Sequence, residues 1–270
     1  MIEIVDQIDG KWEYDYFKSI VDNIDIDNNI SFVFMKWDDD IPKTKYPAVL
    51  FVTSDEHHRF QKKFVENPNV LLTFKNYYML NFVHEKIKPF PLGYLQGFEA
   101  SNKIPILDRE YDYSFSGTLP APPCEPTRYN LEHSLKKLST DERKKFVLFY
   151  EGWAKGLSMK EYSDIMENTK IALCPSGYTS SETFRYFEAA KAGCVLISEK
   201  KPDVWHYEDA PHIAIDCWSK LPAFLERILS KPHLLEELSN NTIDWWEKKC
   251  APKSVAAYVT HNVKGALGET

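Results

Sequence analysis

No two cysteines of this 270-residue chain stand in C-x-x-C spacing, and the five present (Cys124, Cys174, Cys194, Cys217 and Cys250) are an odd number. That excludes the usual signatures of a disulfide framework or a structural zinc site and leaves reduced thiols. No apolar run is long: AVLFV at 48–52 falls far short of the ~20 residues that cross a bilayer. Positive charge is not in excess, with 33 Lys and Arg against 40 Asp and Glu, a net −7. Such a balance does not displace counterions from nucleic acid, which excludes general nucleic-acid binding and leaves room only for a local basic pocket for phosphate. The opening MIEIVDQIDGKWEYDY is acidic and lacks the apolar stretch of a secretory leader. The expectation is a soluble, cytoplasmic chain with no integral membrane segment. No internal repeat or low-complexity tract is found.

What is present is an ordinary globular mix, 43% hydrophobic and 27% charged. Aromatics reach 14%, which suits either a carbohydrate-handling surface or a large core. Short apolar runs alternate with amphipathic stretches. SFVFMKW (31–37), PAVLFVT (47–53) and NVLLTF (69–74) read as strands, with a helix over 58–67 between the last two, and KPFPLGY (88–94) reads as a loop. The second half repeats the pattern. Strands are expected at 111–119, 145–151, 170–177, 194–198 and 212–216. Helices are expected at 127–139 with Thr127 as cap, at 158–169 with a Ser158/Glu161 capping box, at 181–193 closed by Gly193, at 221–230 and at 233–250. Strand–helix–strand order predicts parallel sheets. The expected fold is α/β, with two Rossmann-like lobes, a cleft between them and a reduced N-terminal lobe. The divisions are 1–100, 101–255, and a tail at 256–270 that packs back on the first lobe.

The densest signal is CPSGYTSSETFRYFEAAKAGCVLIS (174–198). A strand ends at Cys174, Pro175, Ser176 and Gly177 turn the chain, the hydroxyls of Thr179, Ser180 and Ser181 precede a helix, and Thr183 in its first turn is a further donor-side candidate. Free N–H groups and the dipole at a helix start favour an anion such as a diphosphate. Phe184 and Phe187 are expected to face the core, while Arg185 and Glu188 share another face. A cation and a carboxylate at a sheet's carboxyl edge suit phosphate and ribose hydroxyls, and the same spacing also makes an ordinary surface pair.

TFRYFEAAKAGCVLI (183–197), with its upstream P-S-G loop (175–177), resembles the exostosin-type glycosyltransferase pattern S-F-R-F-x-E-A-x-x-A-x-C-V-P-V; Leu196 stands where the family has proline. The resemblance covers about 111–216 well and the first lobe loosely. It implies the two-lobed GT-B fold, with the second lobe holding a nucleotide sugar and the first an acceptor. It places Arg185 on the donor diphosphate and Glu188 on the ribose. Arg128, in RYNL after the FSG turn at Gly117, matches the family's other phosphate-binding arginine. The common retaining signature E-x-F-G with a second Glu eight residues on is not matched, because Glu182 and Glu188 are six apart and Arg185 stands where Gly is wanted. That favours an inverting transfer.

An inverting transfer needs a base for the acceptor hydroxyl. TSDEHH (53–58) follows a strand, and Asp55, then Glu56, then His57 are the candidates; the acids equally suit a helix's first turn with Ser54 as cap. Lys75, Asn76, Tyr77 and Tyr78 follow the next strand and are candidates to line the acceptor site. Trp153, in GWAKG, is a candidate contact for the nucleobase. Asp38, Asp39 and Asp40 read as a solvated loop, so no metal and no resident cofactor are expected. The implied partners are a nucleotide-diphosphate sugar, UDP favoured, and a glycan acceptor. The alternatives are a GDP- or CMP-sugar transferase of the fucosyl or sialyl type, and a non-catalytic sugar- or nucleotide-binding module.

Overall fold

A computed structural model describes residues 1–53, 55–57, 62–77, 84–118, 125–152 and 155–269. The strands are β1 (Ile2–Asp6), β2 (Ile30–Lys36), β3 (Ala48–Thr53), β4 (Val70–Lys75), β5 (Ile87–Pro89), β6 (Tyr111–Thr118), β7 (Lys145–Tyr150), β8 (Thr169–Cys174), β9 (Val195–Ser198) and β10 (Ile213–Ala214). The helices are α1 (Tyr14–Val21), α2 (Lys63–Glu66), α3 (Glu125–Lys137), α4 (Met159–Glu167), α5 (Phe184–Lys191), α6 (Leu221–Leu229), α7 (Pro232–Trp245) and α8 (Pro252–Ala266). The chain divides into two compact units. The first is Met1–Gln96 with Asp203–Glu208 and Lys248–Thr270; the second is Gly97–Pro202 with Asp209–Glu247. Each holds a parallel five-stranded sheet among the described residues. The α/β class with two Rossmann-like units stands.

In the first unit the strands lie in sequence order, β1 to β5. Period-two alternation sorts its two faces. Phe32 and Phe34 of β2, Phe51 of β3 and Phe74 of β4 share one face with Phe17 of α1 and Phe90, with ring centroids 5.1–5.8 Å apart along the chain of contacts. Tyr258 of α8 closes that face against Phe74. Val33, Met35, Leu50 and Val52 line the other with Phe64 of α2. Much of the aromatic content is therefore core: each buried Phe contributes ~2–3 kcal/mol of burial and each ring pair ~1 more.

In the second unit the order is β10-β9-β8-β6-β7. The chain runs outward from β6 to β7, then returns past β6 to β8. The carboxyl ends of β6 and β8 therefore flank the point where the winding reverses, which is where open α/β sheets bind ligands. Tyr113, Phe115, Ile171, Leu173, Val195 and Ile197 build its core with Leu131 and Leu135 of α3 and Leu225 and Ile228 of α6. Ser158 and Glu161 form both halves of the capping box that starts α4. Gly193 closes α5 at φ +70, and an added Cβ would stand 3.0 Å from Ile243.

Several expected elements are corrected. β1 and α1 lie in the opening stretch read only as acidic chain. Lys88 and Pro89, placed in a loop, belong to β5, which pairs with β4 as an edge strand, where a proline is tolerated. Helix α3 begins at Glu125, so Thr127 lies inside its first turn and is not the cap. Helix α5 begins at Phe184, because the hydroxyl-rich 176–183 stretch folds into a loop. Phe187 is fully buried as expected, while Phe184 is half-buried. The helix expected over 58–67 is described only from residue 62 on. The last helix of the second unit passes into a π-turn at Trp246–Cys250.

Candidate functional site

Two arginines are anchored at the reversal point. Arg128, in the first turn of α3, is 8% exposed. Its Nε donates to the Ser176 carbonyl after β8 at 3.3 Å, and its Nη1 to the carbonyl of Thr118 at the end of β6 at 3.3 Å and to the Thr118 hydroxyl. One guanidinium thus bridges the two strand ends. Arg185, the second residue of α5, donates from Nε at 3.1 Å and from Nη2 to the Ser116 carbonyl. Its guanidinium lies over the Phe115 ring, 4.6 Å from the centroid, a stacking worth ~1–2 kcal/mol when desolvated. Gly117 leaves the room for it. The Nη1 of Arg185 is buried with no hydrogen-bond partner among the described residues, and so is the Thr183 hydroxyl at the N-cap of α5. Thr183 makes no side-chain cap, and the first turn of α5 carries no acid. A buried guanidinium donor, an uncapped helix start and a dipole pointing the same way together suit an anion.

The loop between β8 and α5 is held from several sides. The Gly177 amide donates to the Ser180 carbonyl at 2.7 Å, and the Glu182 amide to the Ser180 hydroxyl at 3.1 Å. The Ser176 amide and hydroxyl both donate to Glu199, which also takes the Trp218 indole N–H. Ser180 is buried, Ser176 and Ser181 half-buried, and Thr179 exposed. Glu188 is 2% exposed and hydrogen-bonded to Tyr162, whose hydroxyl is pushed well above its ordinary range, first by burial and further by the Glu188 charge. Arg185 and Glu188 are therefore not the surface pair their spacing also allowed.

In the first unit, Asp55 is fully buried and its carboxylate lies 3.0 Å from Lys75 Nζ. Lys75, Asn76 and Tyr77 are buried as well, at 7%, 0% and 5% exposure. Glu56 is half-buried and His57 exposed. Glu13, fully buried just before α1, accepts the Asn76 side-chain amide at 2.9 Å and the Thr53 hydroxyl. Trp12 and Tyr77, beside these groups, both carry left-handed backbone at φ 58 and φ 51. Tyr78, Trp153 and Ser54 lie outside the described residues. Asp39 turns the chain by accepting the Lys36 amide at 2.8 Å. Among the described residues no three His, Cys, Asp or Glu side chains are grouped to hold a metal ion.

Sequence reasoning missed Glu13, Glu199 and Lys201. Glu199 and Lys201 follow the strand CVLIS directly, and the strand-end rule applied to TSDEHH would have found them. Glu13 carried no comparable signal.

No protein-family model matches the chain, and no curated protein matches it. Solved structures do. AviGT4, a glycosyltransferase involved in avilamycin A biosynthesis, is 9% identical, with 99% of this chain and 98% of that one covered at a TM-score of 0.57. An α1,3-fucosyltransferase is 11% identical, with 97% and 89% covered at 0.53. WaaG, a glycosyltransferase involved in lipopolysaccharide biosynthesis, is 12% identical, with 96% and 100% covered at 0.50. Longer proteins match over part of their length: the chain spans 61%, 55% and 60% of the chains in the GtfA/B complex, S. aureus TarM and the pneumococcal O-GlcNAc transferase GtfA. At these identities the likeness defines the fold, that of the GT-B glycosyltransferases. Among the described residues no helix is long and apolar enough to cross a membrane.

Proposed function

We propose that this protein is a glycosyltransferase that moves a sugar from a nucleotide-diphosphate donor to a hydroxyl of a glycan acceptor, with inversion and without a metal. The observation that carries the reading is the pair Arg128 and Arg185, both anchored to carbonyls at the end of β6 beside the uncapped start of α5. UDP is the favoured nucleotide on the exostosin resemblance; a UDP complex of a similar fold, HepE of Anabaena, supports it. The fucosyltransferase likeness keeps GDP-sugars as the second donor to test.

In this reading the acceptor oxygen bonds to the anomeric carbon as the carbon–oxygen bond to the diphosphate breaks. The bond's electron pair leaves with the diphosphate, whose charge the two guanidiniums and the α5 start stabilise. The acceptor proton passes to a base in the 55–57 turn. Asp55 is buried against Lys75, so it orients the turn, and Glu56 and His57 are the groups that reach solvent. Lys75, Asn76 and Tyr77 support that edge from beneath. Glu188, already accepting from Tyr162, would also accept from the ribose.

The test is a sugar-nucleotide panel with glycan acceptors, comparing wild type with Arg185→Ala. Transfer by the wild type, and at least a ~100-fold loss in a folded Arg185→Ala, supports the reading. Unchanged turnover in that variant would refute it.

A further inference from the structure

The 176–183 loop has a third cation beneath it. Lys201, three residues past the end of β9, is 6% exposed. Its ammonium donates to the Ser181 carbonyl and lies 4.7 Å from the centroid of the Tyr186 ring on α5. Ser181 immediately precedes Glu182 and the N-cap Thr183, so the lysine ties the approach to α5 to the far side of the β9 edge. Tyr186 is fixed in turn by His212 Nδ1 at 2.9 Å from its hydroxyl. Without its ammonium, the carbonyl of Ser181 loses a charged donor and that end of the loop loses its tether to the chain after β9, while Glu199 still holds the Ser176 end.

We propose that Lys201 is a positioning residue of the diphosphate site, holding the Ser181 carbonyl so that the loop and the start of α5 face the anion, and that ligand affinity depends on its carrying a proton. The proposal rests on the donor-site reading above. The charged groups around the ammonium are Glu199 after β9, Glu182 in the loop, Arg185 on α5 and Cys174 at the end of β8, with His212 across Tyr186. Burial lowers the Lys201 amine to about 8, burial lifts the Cys174 thiol to about 12, and burial with the Lys201 charge lowers His212 to about 4. Between pH 7.5 and 9.5 the lysine therefore changes charge while the thiol and the imidazole do not. The diphosphate group is fully ionised above about pH 7.5, since its last proton leaves near pH 6; the uracil and guanine ring N–H groups lose a proton toward the top of the range, so ADP, whose base does not, is the reference ligand.

The experiment titrates UDP, GDP and ADP into wild type, Lys201→Arg and Lys201→Gln at pH 7.5, 8.5 and 9.5 and constant ionic strength. The expected result is a wild-type affinity that falls about tenfold or more across the range, an arginine variant that stays within about threefold, and a weak, flat glutamine variant. A Lys201→Arg profile that falls like the wild type overturns the inference even where Lys201→Gln does not fold, as does a glutamine variant that binds like wild type. Wild-type binding that is tight and flat across the range overturns this inference and leaves the donor site standing. Absence of any nucleotide binding overturns the donor-site reading, and the inference with it.

Discussion

A Cβ added to Gly117 would stand 2.6 Å from Nη2 of Arg185 and 2.8 Å from Cζ of Phe115. The glycine near the end of β6 is thus the floor on which the Arg185 guanidinium lies as it donates to the neighbouring Ser116 carbonyl. Gly117→Ala displaces the guanidinium from its seat over Phe115. We expect a stability loss of about 1–2 kcal/mol in denaturant titrations and a nucleotide affinity about tenfold lower. Wild-type affinity in the alanine variant would show that the seat does not matter to binding.

Arg109 is a different arginine with a different task. It is 3% exposed, and its guanidinium donates to the carbonyls of Ile104 at 3.1 Å, Thr169 at 2.9 Å and Ala192 at 2.7 Å. It ties the amino end of β8 to the carboxyl end of α5, where a cation also suits the helix dipole. Arg109→Met leaves buried carbonyls unpaired and is expected to cost roughly 2–4 kcal/mol. Nucleotide affinity of the variant that remains folded should be unchanged. Equal losses on Arg109→Met and Arg185→Ala in both assays would contradict the division of roles.

His212 gives a pH signature. Burial, then the Lys201 charge, hold its pKa at about 4, below the ordinary value of 6.5. Between those values the unfolded chain binds the proton and the folded chain does not, so stability is complete above pH 6.5 and is lost as pH falls through 4. The full shift corresponds to at most about 3 kcal/mol, less for a ring only partly buried. His212→Gln should flatten that part of the stability–pH curve. The same acid limb in the variant and the wild type would place its origin elsewhere.

The 55–57 turn separates structure from chemistry. Asp55→Asn removes the charge that Lys75 faces at 3.0 Å in a buried site and is expected to destabilise by about 3 kcal/mol. Glu56→Gln and His57→Gln alter groups that reach solvent and should leave stability within about 0.5 kcal/mol. One of the two should abolish transfer to an acceptor without weakening nucleotide binding. Full transfer activity in both would remove the base from this turn.

Elements with local signals were legible in the sequence. The capping box at Ser158, the short apolar run at 194–198 and the left-handed Gly193 each carry their cause within a few residues. The cluster at the carboxyl ends of β6 and β8 was legible for the same reason: Gly117, Ser176 and Arg185 stand at strand ends and a helix start. Elements that depend on distant partners were not. IEIVD at 2–6 alternates acids with apolar residues and becomes a strand only by pairing with β2. Asp55 reads as a free carboxylate until Lys75, twenty residues on, is placed against it. Lys201 reads as a solvated loop lysine until Ser181 and Tyr186 fold over it. Residues 203–208 join the first unit through contacts such as the Trp205 indole donating to the Pro89 carbonyl at 3.1 Å, which no local pattern announces.

The most direct measurement is thermal unfolding of wild type and Arg185→Ala with UDP, GDP, CMP and ADP at ~1 mM, with and without Mg²⁺. A nucleotide at about 100 times its dissociation constant adds about 2.7 kcal/mol, a rise of several degrees for a chain of this size. The account predicts that a nucleoside diphosphate, UDP first, raises the midpoint of the wild type without metal and leaves that of Arg185→Ala unmoved. No shift with any nucleotide, or equal shifts in both proteins, would contradict it.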